Sequence, residues 1–207
     1  MRKSIRLPHW DYRNNSWYFV TICTRDRVCY FGDIVNYKMD LSPVGEIAQQ
    51  CWANIPHHSQ YTAIDTYIVM PNHIHGIIII DRPDGDVTDN RDVTYPNGDV
   101  TDRRDVIYNV PTANYNNAPT VNPIDDFART MSKLSPKTGS LSVIIRTYKA
   151  AVTRWCKRNG YNDFAWQPRF YESIIRDSDS LEKIQNYIVN NPAKWQEDEN
   201  NPMNFRI

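Results

Sequence analysis

The 207-residue chain has few cysteines and no long apolar run. Its four cysteines, at positions 23, 29, 51 and 156, contain no Cys-x-x-Cys pair, which argues against a zinc knuckle and against a secreted disulfide framework. The longest purely aliphatic run, Ile77 to Ile80, is far too short to span a bilayer. No apolar signal-peptide segment follows the basic residues at the start. We therefore expect a soluble, cytoplasmic protein with no membrane partner.

The net charge of zero conceals two blocks of opposite sign. Residues 81–126 hold ten Asp against four Arg, whereas residues 133–176 hold nine Lys or Arg against Asp163 and Glu172. The basic block is a candidate surface for a polyanion. The acidic block contains a 13-residue unit twice, from Gly85 and from Gly98, and shows no sustained amphipathic period. We predict a single domain over residues 1–207 with an acidic, mobile insertion at about 81–137.

Outside the insertion, the patterns predict the order β-α-β-β-α-β-α. Runs rich in β-branched and aromatic residues predict strands, at 17–25, about 63–70, 73–80 and within 166–175. Helical spacing with capping signals predicts helices: one begins at the Ser42-Pro43 cap and stops at Pro56, one runs from about Ser140 to Arg158, and one runs from a cap at Ser178 or Asp179 to Asn191. This order indicates an α+β fold, a ferredoxin-like (RRM-like) antiparallel sheet with helices packed on it.

The run Pro71-Asn72-His73-Ile74-His75-Gly76 carries the strongest chemical signal. Residues two apart on a strand share a face, so His73 and His75 should project side by side. Two neutral imidazoles can hold one divalent ion and leave its other positions open for a phosphodiester oxygen. Gly76 would let another backbone or a ligand approach the strand closely. The alternative is a pair of half-buried histidines on an edge strand, with no ion.

The last predicted helix can supply a nucleophile and a further ligand. Tyr187 and Asn191 are four residues apart and so lie on one helical face. The Asn191 carbonyl oxygen could complete the metal ligands, and the Tyr187 hydroxyl could attack a metal-bound phosphate. The alternative for Tyr187 is packing of its ring. Tyr148 ranks second, because Val152, which cannot bind a metal, lies one turn after it.

These motifs resemble the single-tyrosine HUH transposases. His73-Ile74-His75 matches the His-hydrophobic-His signature of the HUH endonucleases, and the segment from Trp166 to Trp195 is similar to the C-terminal part of those transposases. The opening Arg6-Leu7-Pro8, the run YFVTIC and the run MPNHIHG resemble the REP-associated tyrosine transposases. The resemblance covers nearly all the chain outside 81–137. The chain departs from the family pattern in its long insertion and in Asn191, which replaces the glutamine of related insertion-sequence transposases.

The resemblance implies an HUH endonuclease architecture with specific site residues. His73, His75 and Asn191 would bind a divalent metal, Mg²⁺ or Mn²⁺, and histidine ligands favour Mn²⁺. Tyr187 would cut single-stranded DNA that carries a hairpin, form a 5′-phosphotyrosine intermediate and release a 3′-hydroxyl that can rejoin strands. The chain would thus be a transposase and strand transferase. Pairing of two chains in a homodimer stays open.

Several basic and aromatic residues are candidates for DNA binding. They are Lys149, Arg154, Lys157, Arg158, Trp166 and Arg169. Basic side chains would follow phosphates, and Trp166, Phe170 and Tyr171 could stack on unpaired bases. Three alternatives remain: an RRM-like nucleic-acid-binding protein without catalysis, a domesticated inactive transposase, and a related HUH replication or mobilisation nuclease.

Overall fold

Six strands and four helices make up the part of the chain that the structure, a computed structural model, describes: residues 10–83 and 139–204. The strands are β1 Ser16–Cys23, β2 Gly32–Val35, β3 Lys38–Leu41, β4 Thr62–Met70, β5 His73–Ile80 and β6 Tyr171–Ile175. The helices are α1 Pro43–Ala53, α2 Ile55–His58, α3 Leu141–Arg158 and α4 Ser178–Asn190. Short 3₁₀ segments span Arg25–Arg27, Pro192–Glu197 and Pro202–Asn204. The predicted insertion lies outside the described residues from position 84 onward.

The main sheet has the strand order β4-β5-β1-β6, and each neighbouring pair is antiparallel. β5 follows β4 through a two-residue turn and pairs with it, and on its other side it pairs with β1, so β4 and β1 are not neighbours. This arrangement is the split βαβ of ferredoxin-like folds. The predicted fold class, an antiparallel sheet with packed helices, is therefore confirmed. No helix within residues 10–83 and 139–204 is long and apolar enough to cross a membrane.

The two faces of the sheet carry different helices. On one face, Ile74 and Ile78 of β5 pack in the main core with buried residues of β1, α1 and α3. On the other face, Ile77 packs with Ile175 and with Ile188 of α4. Since side chains alternate along a strand, the odd-numbered residues of β5 face α4. The two histidines of β5 therefore lie on the α4 face, and α3 lies behind the sheet.

The predicted start of α1 is confirmed, but its predicted end needs correction. α1 begins as predicted, because Ser42 Oγ accepts a hydrogen bond from the Gly45 N–H at 3.1 Å and Pro43 is the first helical residue. Pro56 was predicted to stop this helix, but α1 already ends at Ala53 and Pro56 lies in the first turn of α2. Proline is tolerated there because first-turn N–H groups have no helical acceptor.

The cap of α4 and one hairpin also differ from the prediction. Asp177 caps α4, since its Oδ1 accepts from the Ser180 N–H at 2.7 Å; the predicted caps Ser178 and Asp179 are wrong by one or two residues. The β2–β3 hairpin was not predicted. Asn36 and Tyr37, with φ values of 50° and 62°, form its turn, and both lie in the left-handed region that a two-residue type I′ turn requires.

Candidate active site

β5 brings His73 and His75 together at the centre of the sheet. Their Nε2 atoms lie 3.0 Å apart, and the residues are 0% and 3% exposed. β5 has a strand on each side, so the alternative of half-buried histidines on an edge strand is wrong. Two imidazoles held this rigidly present their ring nitrogens to one small volume.

The protonation state of His73 follows from its contact with Asn72, which is fully buried. The Asn72 amide nitrogen donates to the carbonyl oxygens of Arg27 and Asn200, each at 2.8 Å. These two acceptors fix the amide orientation, so Oδ1 must face His73 Nδ1, which lies 2.9 Å away. Nδ1 then carries the proton and donates it to Asn72. The lone pair of His73 Nε2 consequently points into the site, as a metal ligand requires.

His75 has two hydroxyl neighbours. Thr21 Oγ1 lies 2.8 Å from Nδ1, and the Tyr187 hydroxyl lies 3.1 Å from Nε2. A threonine hydroxyl can donate or accept, so it can accept from Nδ1 and free Nε2 for a ligand. The phenol of α4 and the imidazoles of β5 thus meet within one chain.

Both histidines are held in their neutral form. Burial, with a smaller contribution from the nearby Arg27, lowers the pKa of His73 to about 3. Burial, with a smaller contribution from His73, lowers the pKa of His75 well below its usual value, while Asp198 opposes that shift. Neutral imidazole is the form that binds metal ions, so neither residue would have to lose a proton at neutral pH.

Tyr187 and Asn191 occupy the same side of the C-terminal end of α4. The Tyr187 ring is 44% exposed. Burial raises the pKa of its phenol and Asp198 raises it further, whereas a hydrogen bond with the Asn191 side chain lowers it. Asn191 is 2% exposed, and its Oδ1 accepts no hydrogen bond from the described residues. A buried amide oxygen without a donor is costly and is well suited to a cation.

Asp198 also lies at the site, although no sequence motif pointed to it. Its Oδ2 lies 3.8 Å from His73 Nε2, and its side chain is 5% exposed. Among the described residues, one group of His, Cys, Asp or Glu side chains could hold a metal ion, namely His73, His75 and Asp198, whose ligand atoms lie within 4.8 Å of one another. Asp198 follows the 3₁₀ segment Pro192–Glu197, and no periodic pattern links it to the histidines.

The donor set fits a divalent cation. It combines the neutral imidazole nitrogens of His73 and His75 with the buried carboxylate of Asp198. Nitrogen and oxygen ligands of this kind suit Mn²⁺, and oxygen-rich sets suit Mg²⁺. The arrangement can therefore hold an ion beside a half-exposed phenol, which is what nucleophilic attack on a phosphodiester needs.

The predicted DNA-binding residues are not gathered at this site. Arg154, Lys157 and Arg158 are exposed on α3, which packs on the opposite face of the sheet. Tyr148, the second-ranked nucleophile, is buried in the main core and donates to the Ala48 carbonyl at 3.0 Å. Tyr187 alone of these two tyrosines reaches the histidines.

Lys149 and Trp166 make internal contacts. Lys149 Nζ donates to the carbonyl oxygens of Gln167 at 2.9 Å and of Arg169 at 2.6 Å, and burial lowers its pKa to about 8. Trp166 packs against the main core and donates from Nε1 to the Lys149 carbonyl at 3.1 Å. These contacts hold the segment that leads into β6. Arg169 itself is exposed.

Comparison with known proteins yields one curated relative and a shared fold. An uncharacterized protein of Haemophilus influenzae is 34% identical over 199 residues, which span 96% of this chain and 92% of that protein. The solved structure of a REP-associated tyrosine transposase bound to a REP hairpin matches 94% of this chain and 74% of its own, with a TM-score of 0.51 and 18% identity. No protein-family profile matches the sequence. The chain therefore has the fold of that transposase and belongs to the family of the Haemophilus influenzae protein.

Proposed function

We propose that the protein is a metal-dependent tyrosine transposase of the HUH type, which cuts and rejoins single-stranded DNA. One observation carries the proposal: the Tyr187 hydroxyl lies 3.1 Å from His75 Nε2, beside a second neutral imidazole. A nucleophile next to a pair of metal ligands is the minimum that phosphodiester cleavage requires. The fold that the chain shares with a REP-associated tyrosine transposase supports the proposal.

In the proposed reaction the Tyr187 oxygen forms a bond to the scissile phosphorus, and the bond from phosphorus to the 3′ oxygen breaks. The phenol proton passes to solvent, which reaches the half-exposed ring, and the departing 3′ oxygen takes up a proton. The product is a 5′-phosphotyrosine link with a free 3′-hydroxyl. Because one phosphodiester replaces another, that hydroxyl can reverse the step and rejoin strands.

Mg²⁺ or Mn²⁺ bound by these residues would act as a Lewis acid on the phosphate. His73 and His75 are the proposed nitrogen ligands, and Asn191 and Asp198 are the candidate oxygen ligands. Asn72 and Thr21 orient the imidazoles. The proposed roles of these side chains are therefore to orient the phosphate and to present the phenol.

The proposed substrate is single-stranded DNA with a hairpin, by analogy with the REP hairpin bound to the transposase of similar fold. Arg154, Lys157, Arg158 and Arg169 are exposed and remain candidates for phosphate contacts. Lys149 and Trp166 would act indirectly, by holding the segment before β6. Since His75 and Tyr187 meet within one chain, the reaction does not require a homodimer.

The test is covalent capture. The protein is incubated with Mn²⁺ and single-stranded DNA from the flanks of its own gene, and protein–DNA adducts are scored on a denaturing gel. We expect an adduct with the unsubstituted protein and with Tyr37→Phe, a control at a tyrosine that is 74% exposed in the β2–β3 turn. Tyr187→Phe should abolish the adduct and leave hairpin binding nearly intact.

Two results would contradict the proposal. An adduct that persists in Tyr187→Phe assigns the reaction to another tyrosine. Unchanged cleavage by a His73→Ala, His75→Ala double variant would show that the reaction does not need the proposed metal site. If DNA binds but no adduct forms with any divalent ion, the protein is instead an RRM-like binding protein or an inactive transposase.

A further inference from the structure

We propose that Tyr171, backed by Phe19, forms a stacking site for an unpaired nucleobase next to the reacting phosphate. The inference rests on the proposed function, since it takes the metal ligands as the position of that phosphate. It specifies where the nucleobase next to the scissile phosphate binds, which the proposed reaction does not specify.

The register of the sheet aligns Tyr171 with the histidines. Thr21 of β1 pairs with His75 of β5 on one side and with Tyr171 of β6 on the other. Directly opposed residues point to the same face of a sheet, so His75, Thr21 and Tyr171 form one row. Neighbouring strands lie about 4.8 Å apart, which places the Tyr171 backbone about 10 Å from that of His75. A nucleotide whose phosphate is at the histidines can reach across that distance.

Phe19 connects this tyrosine to the candidate active site. Its ring stacks on His75 with centroids 5.5 Å apart and meets Tyr187 edge-on at 6.1 Å. On its other side it contacts the Tyr171 ring at 6.3 Å, again edge-on. An aromatic surface therefore extends without interruption from the imidazole and the nucleophile to the edge strand.

Tyr171 is the exposed end of this surface. Its residue is 42% exposed, and it lies on β6, the edge strand farthest from β4. α4 packs against β4 and, through Ile188, against Ile77 and Ile175. The tyrosine hydroxyl adds a polar edge, but the ring face is what a base would contact.

The charge around Tyr171 suits a nucleic acid strand. Arg169, two residues before Tyr171, is exposed, and Arg176 is exposed at the far end of β6, about 16 Å along the strand. Aromatic platforms flanked by cationic side chains are typical of sites that bind single strands with little sequence preference. The site would thus accept any unpaired base and would recognise that the substrate is single-stranded.

Binding in EDTA tests this site separately from cleavage. Fluorescence anisotropy is measured with a labelled single-stranded oligothymidylate and with a matched oligonucleotide whose residues are abasic. We expect Tyr171→Ala and Tyr171→Leu to weaken oligothymidylate binding by about 5- to 150-fold. Tyr171→Phe, which keeps the ring, and the control Tyr37→Ala should bind as the unsubstituted protein does.

The abasic oligonucleotide distinguishes stacking from other effects. If Tyr171 contacts a base, Tyr171→Leu should bind the abasic strand as well as the unsubstituted protein does. Three results would overturn the inference. Tyr171→Leu could weaken the binding of both oligonucleotides equally, or of neither, or the unsubstituted protein could fail to bind oligothymidylate at low salt. Because no metal or cleavage is involved, a positive result stands even if the adduct assay fails, and an adduct without this binding pattern leaves the proposed function intact.

Discussion

Gly76 is expected to be essential for the packing that supports the histidine strand. It follows His75 in β5 and faces the opposite side of the sheet, where α1 packs. A Cβ atom at this position would lie 2.3 Å from Trp52 Cζ2 and 3.0 Å from Tyr67 Cβ, whereas carbon atoms in contact are normally about 3.5–4.0 Å apart. The close approach expected at Gly76 is therefore made by a side chain, not by a ligand or by another backbone.

The cost of Gly76→Ala follows from how little Trp52 can move. Trp52 is fully buried, and its ring lies 5.3 Å from that of Tyr148 and 6.1 Å from that of Tyr67. Accommodating the methyl group requires a displacement of about 1 Å in a close-packed core, and overpacking of this kind costs about 1–3 kcal/mol. We expect a value in the upper part of that range. We also expect weaker Mn²⁺ binding, since movement of β5 displaces His75.

A double-mutant cycle with Trp52→Phe tests this reasoning. Phenylalanine removes the ring atoms that clash and also Trp52 Nε1, which has no hydrogen-bond partner among the described residues. The free energy of unfolding, measured by urea denaturation with circular dichroism, should show a favourable coupling of about 1–2 kcal/mol between the two substitutions. Additive effects, or a Gly76→Ala cost below about 0.5 kcal/mol, would refute the predicted clash.

Three further substitutions test other contacts. Lys149→Met should lower the free energy of unfolding by about 1 kcal/mol, because the carbonyls of Gln167 and Arg169 lose their donor; a loss of DNA binding with unchanged stability would instead support a direct role. Asp177→Ala should destabilise the protein by about 1 kcal/mol in urea denaturation, because α4 loses its cap, and an unchanged stability would contradict that role. Asp198→Ala should weaken Mn²⁺ binding at least about tenfold in calorimetry, whereas the control Glu199→Ala, at an exposed neighbour, should bind Mn²⁺ as the unsubstituted protein does. Equal affinities of Asp198→Ala and the unsubstituted protein would exclude Asp198 as a ligand.

Local patterns were enough to predict the elements that carry the candidate site. The run rich in β-branched residues after Pro71-Asn72 predicted β5, His73–Ile80, to the residue, and helical spacing predicted that Tyr187 and Asn191 share a face. The Ser42-Pro43 signal located the start of α1. These features depend on chain geometry within a few residues, so the sequence determines them directly.

Contacts between distant segments could not be predicted in the same way. Asp198 follows a 3₁₀ segment and lies near His73, and the hydrogen bond from Asn72 to the Asn200 carbonyl connects the chain just after it to the start of β5. Lys149 and Trp166 look like DNA-binding residues in the sequence, but tertiary packing turns both inward. The side of the sheet on which α3 lies is likewise a property of the folded chain, and it separates the basic helix from the histidines.

The hydrogen bond between Tyr187 and His75 joins residues 112 positions apart, and this separation has a consequence for synthesis. At about 5–20 residues per second, the ribosome adds the tyrosine roughly 6–20 s after the histidine. Asn191 and Asp198 follow later still. A nascent chain therefore carries its imidazoles without the phenol throughout that interval, and the proposed active site cannot form beside the messenger before the tyrosine has been added.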